Sequence, residues 1–144
     1  MSDSVDQTAF LMQTMPFGEV LGITNVQATP EQVTASIAWD AARCTAGGIL
    51  HGGLLMGLAD SVGGLCAFLN LPPGARGTAT IESKTNFLRP VASGAVHAIA
   101  RPLHIGRTTI VVDTELRDNQ GRLVARTTQT QAVLPGAAAD AARE

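Results

Sequence analysis

Between Arg43 and Arg76 the chain carries one formally charged side chain, Asp60, set within the stretch LHGGLLMGLADSVGGLCAFLNL from Leu50 to Leu71. An ionised carboxylate among leucines, glycines and alanines costs several kcal/mol unless it is paired, hydrogen-bonded or neutralised. Aspartate is also a poor residue for the middle of a helix. Two structural explanations are open: Asp60 caps a second helix starting at Ser61, or it pairs with an arginine from elsewhere in the fold. The functional explanation is a reactive carboxylate. Its companion is His51-Gly52-Gly53, where two glycines at a helix start leave backbone N–H groups uncovered and the helix dipole favours a negative oxygen. An acid and an oxyanion donor outline a site for acyl transfer.

The element that must position both is the stretch itself. A run this long and apolar reads as one buried helix, not a strand, stopped near Asn70 by Leu71-Pro72-Pro73-Gly74. Along that helix Gly52 and Asp60 are about 12 Å apart, whereas a reacting carbonyl must lie about 3 Å from both the attacking group and its donors. One helix cannot satisfy this. Two copies set antiparallel about a two-fold axis can, the glycine end of one facing the carboxylate of the other. A homodimer is the expectation.

Around this helix the chain alternates. Thr8–Met15 predicts a short amphipathic helix stopped by Pro16. Val20–Ala28 and Gln32–Trp39 predict an antiparallel strand pair, with Val33, Ala35, Ile37 and Trp39 on one face. After the central helix, strands are predicted over Thr78–Leu88, Gly94–Ile105, Arg107–Arg117 and Arg122–Leu134, with hairpin chemistry at Gly106 and at Asp118-Asn119-Gln120-Gly121. The fold class is α+β: one antiparallel sheet against one helix, whose Gly57, Ala59, Gly63, Gly64 and Ala67 allow close approach. A single domain over residues 1–144 is expected, with an N-terminal helical segment to about residue 18 and a frayed tail over 136–144.

Composition narrows the function. With 45% hydrophobic and 15% charged residues the chain is too apolar to be disordered. A net charge of −2, thinly spread lysine and arginine, and 3% aromatics argue against nucleic acid. MSDSVDQTAF has no basic-then-apolar leader, which predicts a cytoplasmic protein. Asp60, His51 and five glycines argue against a membrane role for the apolar run. Cys44 and Cys66 lack metal-ligand spacing and are expected to be reduced and packed. His97 and His104 share no third ligand, so no metal is expected there either.

The arrangement resembles the hotdog-fold acyl-CoA thioesterases, in particular their PaaI-like branch acting on phenylacetyl-CoA and related esters. The matching residues are Leu50-His51-Gly52-Gly53, Leu58-Ala59-Asp60, Asn86-Phe87-Leu88-Arg89-Pro90-Val91 and Gly106-Arg107, within a likeness running from about Val20 to Leu134. The resemblance implies that Asp60 is nucleophile or general base and that the Gly52 N–H of the partner subunit polarises the thioester carbonyl. It implies that His51 stands beside the oxyanion glycine and that the Thr80 hydroxyl helps to hold the water. Many relatives carry Asn or Gln six residues before the histidine; this chain has Thr45, whose hydroxyl can hold water but offers no amide N–H. Gly53, Ser61 and Gly64 are candidate substrate contacts. Arg89 and Arg107, at strand ends, either meet the phosphates of CoA or are solvated surface charges.

Thioester hydrolysis suits so sparse a site, because a thiolate leaves without a strong general acid. The expected activity is hydrolysis of an aryl- or medium-chain acyl-CoA by a dimer or a homotetramer built as a dimer of dimers, with no cofactor beyond the CoA of the substrate. The alternative is a non-catalytic acyl-CoA-binding hotdog protein, which Thr45 keeps open.

Overall fold

A computed structural model describes residues 5–137. Period-two alternation of apolar residues builds one antiparallel sheet from β1 (Ile23–Ala28), β2 (Val33–Ala38), β3 (Ala75–Phe87), β4 (Ala95–Ile105), β5 (Thr109–Arg117) and β6 (Leu123–Pro135), in the order β1-β2-β4-β5-β6-β3. Val33, Ala35 and Ile37 of β2, Val96, Ala98 and Ala100 of β4, and Ile110, Val112 and Leu116 of β5 are buried on a common face, as strict alternation requires of a half-covered sheet.

That face is covered by α3 (Gly52–Leu69). The connection from β2 through α3 to β3 carries the chain to the opposite edge of the sheet, so the helix lies across the whole inner face. It buries Leu55, Leu58, Ala59, Val62, Leu65 and Cys66, each large apolar side chain worth about 1.5–3 kcal/mol on transfer from water. Of the described helices, α3 alone is long and apolar enough to cross a membrane, and half of it is buried inside this fold.

Two short helices precede the sheet, α1 (Thr8–Thr14) and α2 (Phe17–Leu21). The second corrects the expectation that Val20 opens a strand. Pro16 ends α1 but also stands at the entrance of α2 with φ −57°, already in the helical range that proline favours. Gly22, at φ 79°, then closes α2 in the left-handed region before β1 begins at Ile23. The remaining bounds differ from expectation by a few residues. Leu50 lies outside α3, in an isolated bridge to Cys44, and β3 starts at Ala75, earlier than Thr78. Trp39 falls just beyond β2, half-buried, and its indole N–H donates to the Gly48 carbonyl at 2.9 Å. Most of the tail expected to fray, from residue 138 onward, lies outside the described residues.

Two features of the sheet bear on the site. Edge strand β3 is largely open, with Ile81 and Phe87 exposed. On β6 the inward positions Thr127, Gln129 and Gln131 are buried, so the sheet turns polar beneath one end of α3.

Candidate active site

Asp60 was expected in a buried interior; it is exposed, although Leu58, Ala59, Ser61 and Val62 around it are buried. The sheet covers one side of α3, and Asp60 lies at the margin of that cover, within reach of β3 and β6. Gly53, Met56, Asp60, Gly64 and Phe68, spaced three and four apart, form the flank the sheet leaves open. Neither structural explanation for Asp60 applies. The helix runs unbroken through Ser61, and among the described residues Asp60 joins no ion pair.

One oxygen of the carboxylate is held and the other is not. Asp60 Oδ1 accepts from the Thr80 hydroxyl and from Gln129 Nε2, both at 3.3 Å, while Thr80 Oγ1 itself accepts from Gln131 Nε2 at 2.7 Å. Asp60 Oδ2 accepts from none of the described residues. The carboxylate stands in the wall of a cleft of about 410 Å³, whose other walls include Phe10, Met15, Leu65, Phe68 and Thr78. Gly64 lines it too, with open space where a side chain would project.

The glycine end of α3 is a separate place. His51 caps the helix, its Nδ1 accepting the Gly53 N–H at 2.8 Å. That bond fixes Nδ1 as the acceptor nitrogen and uses the Gly53 donor, so Gly53 offers no N–H to a substrate. Gly52, first in the helix, has no intrahelical acceptor, and its N–H has no partner among the described residues. It borders a second cleft of about 360 Å³ with Leu55, Phe87, Leu88, Arg89 and Pro90. Phe87 leans on Gly52 so closely that a Cβ there would come within 3.2 Å of the ring. The acid and the donor thus open into different clefts of one protomer.

Other residues singled out in the sequence distribute as follows. Thr80, for which the resemblance implies a role in holding the water, donates its hydroxyl to Asp60 Oδ1, and Arg89 borders the Gly52 cleft. Ser61 is corrected as a substrate contact: it is buried and its hydroxyl donates to the Gly57 carbonyl of its own helix at 2.8 Å. Thr45 is exposed in the loop ahead of His51, its N–H bonded to the Ile49 carbonyl, and it lines neither cleft. Arg107 is exposed in the turn between β4 and β5 and lines neither cleft. His97 has a structural place, bonded to Ser36 and Asn119 at 2.8 Å each. Burial pushes the Cys66 thiol up to about 11, which removes it as a nucleophile at neutral pH.

Gln129 and Gln131 were not anticipated. The segment Thr127-Thr128-Gln129-Thr130-Gln131 is polar on both strand faces, so alternation of apolar and polar residues does not mark its inner face. The signal was its place as the last strand of a meander whose other inward positions, apart from Thr114, are apolar.

The model of the thioesterase superfamily matches residues 47–125, more than half the chain, including His51-Gly52-Gly53 and Asp60. The chain belongs to the thioesterase superfamily. Its sheet and helix form the hotdog fold, and it is a thioester hydrolase. Thioesterase PA1618 of Pseudomonas aeruginosa is 36% identical over 118 residues, 82% of this chain and 81% of that protein. A solved structure of a PA1618 mutant superimposes with a TM-score of 0.81 at 32% identity, covering 93% and 96% of the two chains. Thioesterase HI1161 of Haemophilus influenzae gives 0.81 at 27% identity over 91% of each chain. The phenylacetic acid degradation protein PaaI of Thermus thermophilus gives 0.74 at 29% identity, covering 83% and 99%.

Proposed function

We propose that this thioesterase hydrolyses the thioester of an aryl- or medium-chain acyl-CoA, with Asp60 as nucleophile or general base and Gly52 of the partner subunit as oxyanion donor. The observation that carries the reading is a carboxylate with one oxygen tethered and one free in the wall of an apolar cleft. As a base, Asp60 takes a proton from water while the water oxygen bonds to the thioester carbon. As a nucleophile, its free oxygen forms that bond and gives a mixed anhydride, which water later opens. In both routes negative charge collects on the carbonyl oxygen, where one N–H at a helix start is worth most. The C–S bond then breaks and CoA leaves as thiolate, with no strong acid required.

Separation of acid and donor along one helix supports a site shared between two copies. The open flank of α3 and strand β3 expose Met56, Phe68, Ile81 and Phe87, an apolar area suited to a second copy of the same surface. A homodimer, or a dimer of dimers, is the assembly proposed. Arg89, beside the Gly52 cleft, is proposed to meet a CoA phosphate, and the cytoplasm is the location proposed for the reaction. No cofactor is needed beyond that CoA.

The deciding experiment measures free thiol released from phenylacetyl-CoA and a panel of acyl-CoAs by the parent and by Asp60→Asn. Loss of turnover in the variant, with its folding intact, supports the reading. An Asp60→Asn variant as fast as the parent ends it.

A further inference from the structure

Gln129 and Gln131 are fully buried on the inner face of β6, 0% and 1% exposed, where β2, β4 and, apart from Thr114, β5 present apolar side chains. An amide in such a place is favourable for stability only if its donors and acceptor find partners. Gln129 fails that test, since its Oε1 is buried with no hydrogen-bond partner. The side chain lies directly beneath Gly63, where any Cβ would overlap its amide oxygen. An apolar side chain of the same length would fill that space without an orphaned carbonyl. Packing therefore does not account for a glutamine here.

Both amides converge on one atom. Gln129 Nε2 donates to Asp60 Oδ1 directly. A carboxylate can only accept, so the amide nitrogen must face it and the amide oxygen must face away, toward Gly63. Gln131 acts one step back. Its Nε2 donates to Thr80 Oγ1 at 2.7 Å, which leaves the Thr80 hydroxyl proton free to point at the same Oδ1. Two donors on Oδ1 fix the plane of the carboxylate and leave Oδ2 as the oxygen that faces reactants.

Resting on the reading of Asp60 given above, we propose that Gln129, and Gln131 through Thr80, are positioning residues that select Oδ2 of Asp60 as the reacting oxygen, at a cost in stability. Neither amide needs to touch substrate for this. Loss of the tether lets the carboxylate rotate and lowers the fraction of time it is correctly aimed, which acts on turnover and not on binding.

The test replaces Gln129 by methionine, which keeps length and removes both the amide N–H donors and the amide oxygen. The expected result is a kcat lower by about ten- to hundredfold, the range that a small misplacement of a reacting group produces. KM should stay within about twofold of the parent, since the residue makes no substrate contact, and Tm should be equal or higher because the orphaned oxygen is gone. A merely structural glutamine would instead lower Tm and leave kcat per folded molecule unchanged, and that result overturns the proposal. Gln131→Met, which leaves Gln129 in place, is expected to give a smaller kcat loss and carries the test if the first variant does not fold. Asp60→Asn separates the two levels. If it runs at the parental rate, the underlying assignment of Asp60 falls and the tether with it. If it is inactive while both glutamine variants keep parental kcat, the tether alone is wrong.

Discussion

The His51 ring accepts the Gly53 N–H through Nδ1 at 2.8 Å, which leaves Gly52 as the unused donor of the first turn of α3. The same bond accounts for two glycines side by side: one gives its N–H to the cap, and the other keeps its own for a ligand. His51 stands at φ −64° and ψ 134°, the extended conformation favoured before proline. Proline is tolerated at the first helical position. Gly52→Pro therefore removes one N–H with little backbone cost, the Phe87 ring, half exposed, moving aside.

The expected outcome for Gly52→Pro is a fall of about 10²- to 10³-fold in kcat, the range for loss of an oxyanion donor, with a far-ultraviolet spectrum like that of the parent. The partner-subunit arrangement adds a stronger test. Gly52→Pro and Asp60→Asn chains, each inactive alone, are co-expressed. If acid and donor come from different subunits, a mixed dimer holds one intact site, and random pairing returns about a quarter of parental activity. No recovery in the mixture would place both groups in one chain.

Gly63 makes room for the tether, so Gly63→Ala pushes on Gln129. In a free helix the change would gain about 1 kcal/mol of propensity. Here it forces a fully buried amide off Asp60, and overpacking of this kind costs about 1–3 kcal/mol. A net fall in the urea midpoint is expected, together with a lower kcat. Gly64→Ala on the same helix is the control: the position opens onto empty space, and the propensity gain should appear there as a higher midpoint.

Much of this architecture was legible in the sequence because one rule, burial of a single face, writes both the period-two strands and the apolar helix. The meander of β4, β5 and β6, the proline stop after α3 and the helix start at His51-Gly52-Gly53 all follow from local chemistry. What failed was inference about what covers each flank. Asp60 sits among apolar neighbours in sequence, yet a helix turns about 100° per residue, and its side chain points to the margin of the sheet, where Thr80 and Gln129 reach one oxygen and leave the other open. Gln129 and Gln131 were hidden for the opposite reason. Their segment is polar on both strand faces, so its sequence carries no sign of which face is inward, although position in the sheet places one face in the core.

Cys66 gives a pH dependence with a definite sign. Burial raises its thiol to about 11 from 9.0. Above pH 9 the unfolded chain releases this proton and the folded chain does not, so stability is full below pH 9 and is lost as pH rises toward 11. The slope from one group is at most about 1.4 kcal/mol per pH unit. The sequence has no tyrosine and a single lysine, Lys84, so few other groups titrate in that window. Urea midpoints at pH 8, 9 and 10 should fall for the parent and fall less for Cys66→Ala; parallel curves would show that Cys66 does not govern the alkaline limit.

Phe10 and Phe68 stand in the wall of the Asp60 cleft, one supplied by α1 and the other by α3. The protein has four phenylalanines, and placing two at one cleft concentrates its scarce aromatic surface where the acyl group is proposed to lie. Helix α1 is pinned to β1: the Gln7 N–H donates to the Val26 carbonyl at 2.7 Å, and the Val26 N–H donates to the Thr8 hydroxyl at 3.0 Å. Phe10 is therefore a fixed wall, and its truncation should act on acyl selection without unfolding the core. Offset or edge contacts between a ring and an aryl acyl group contribute about 0.5–1.5 kcal/mol beyond buried area. Phe10→Ala should lower kcat/KM for phenylacetyl-CoA by about three- to tenfold, the equivalent of that contact energy, and change acetyl-CoA turnover much less. An equal loss on both substrates would show that Phe10 supports the fold of the cleft and does not select the acyl group.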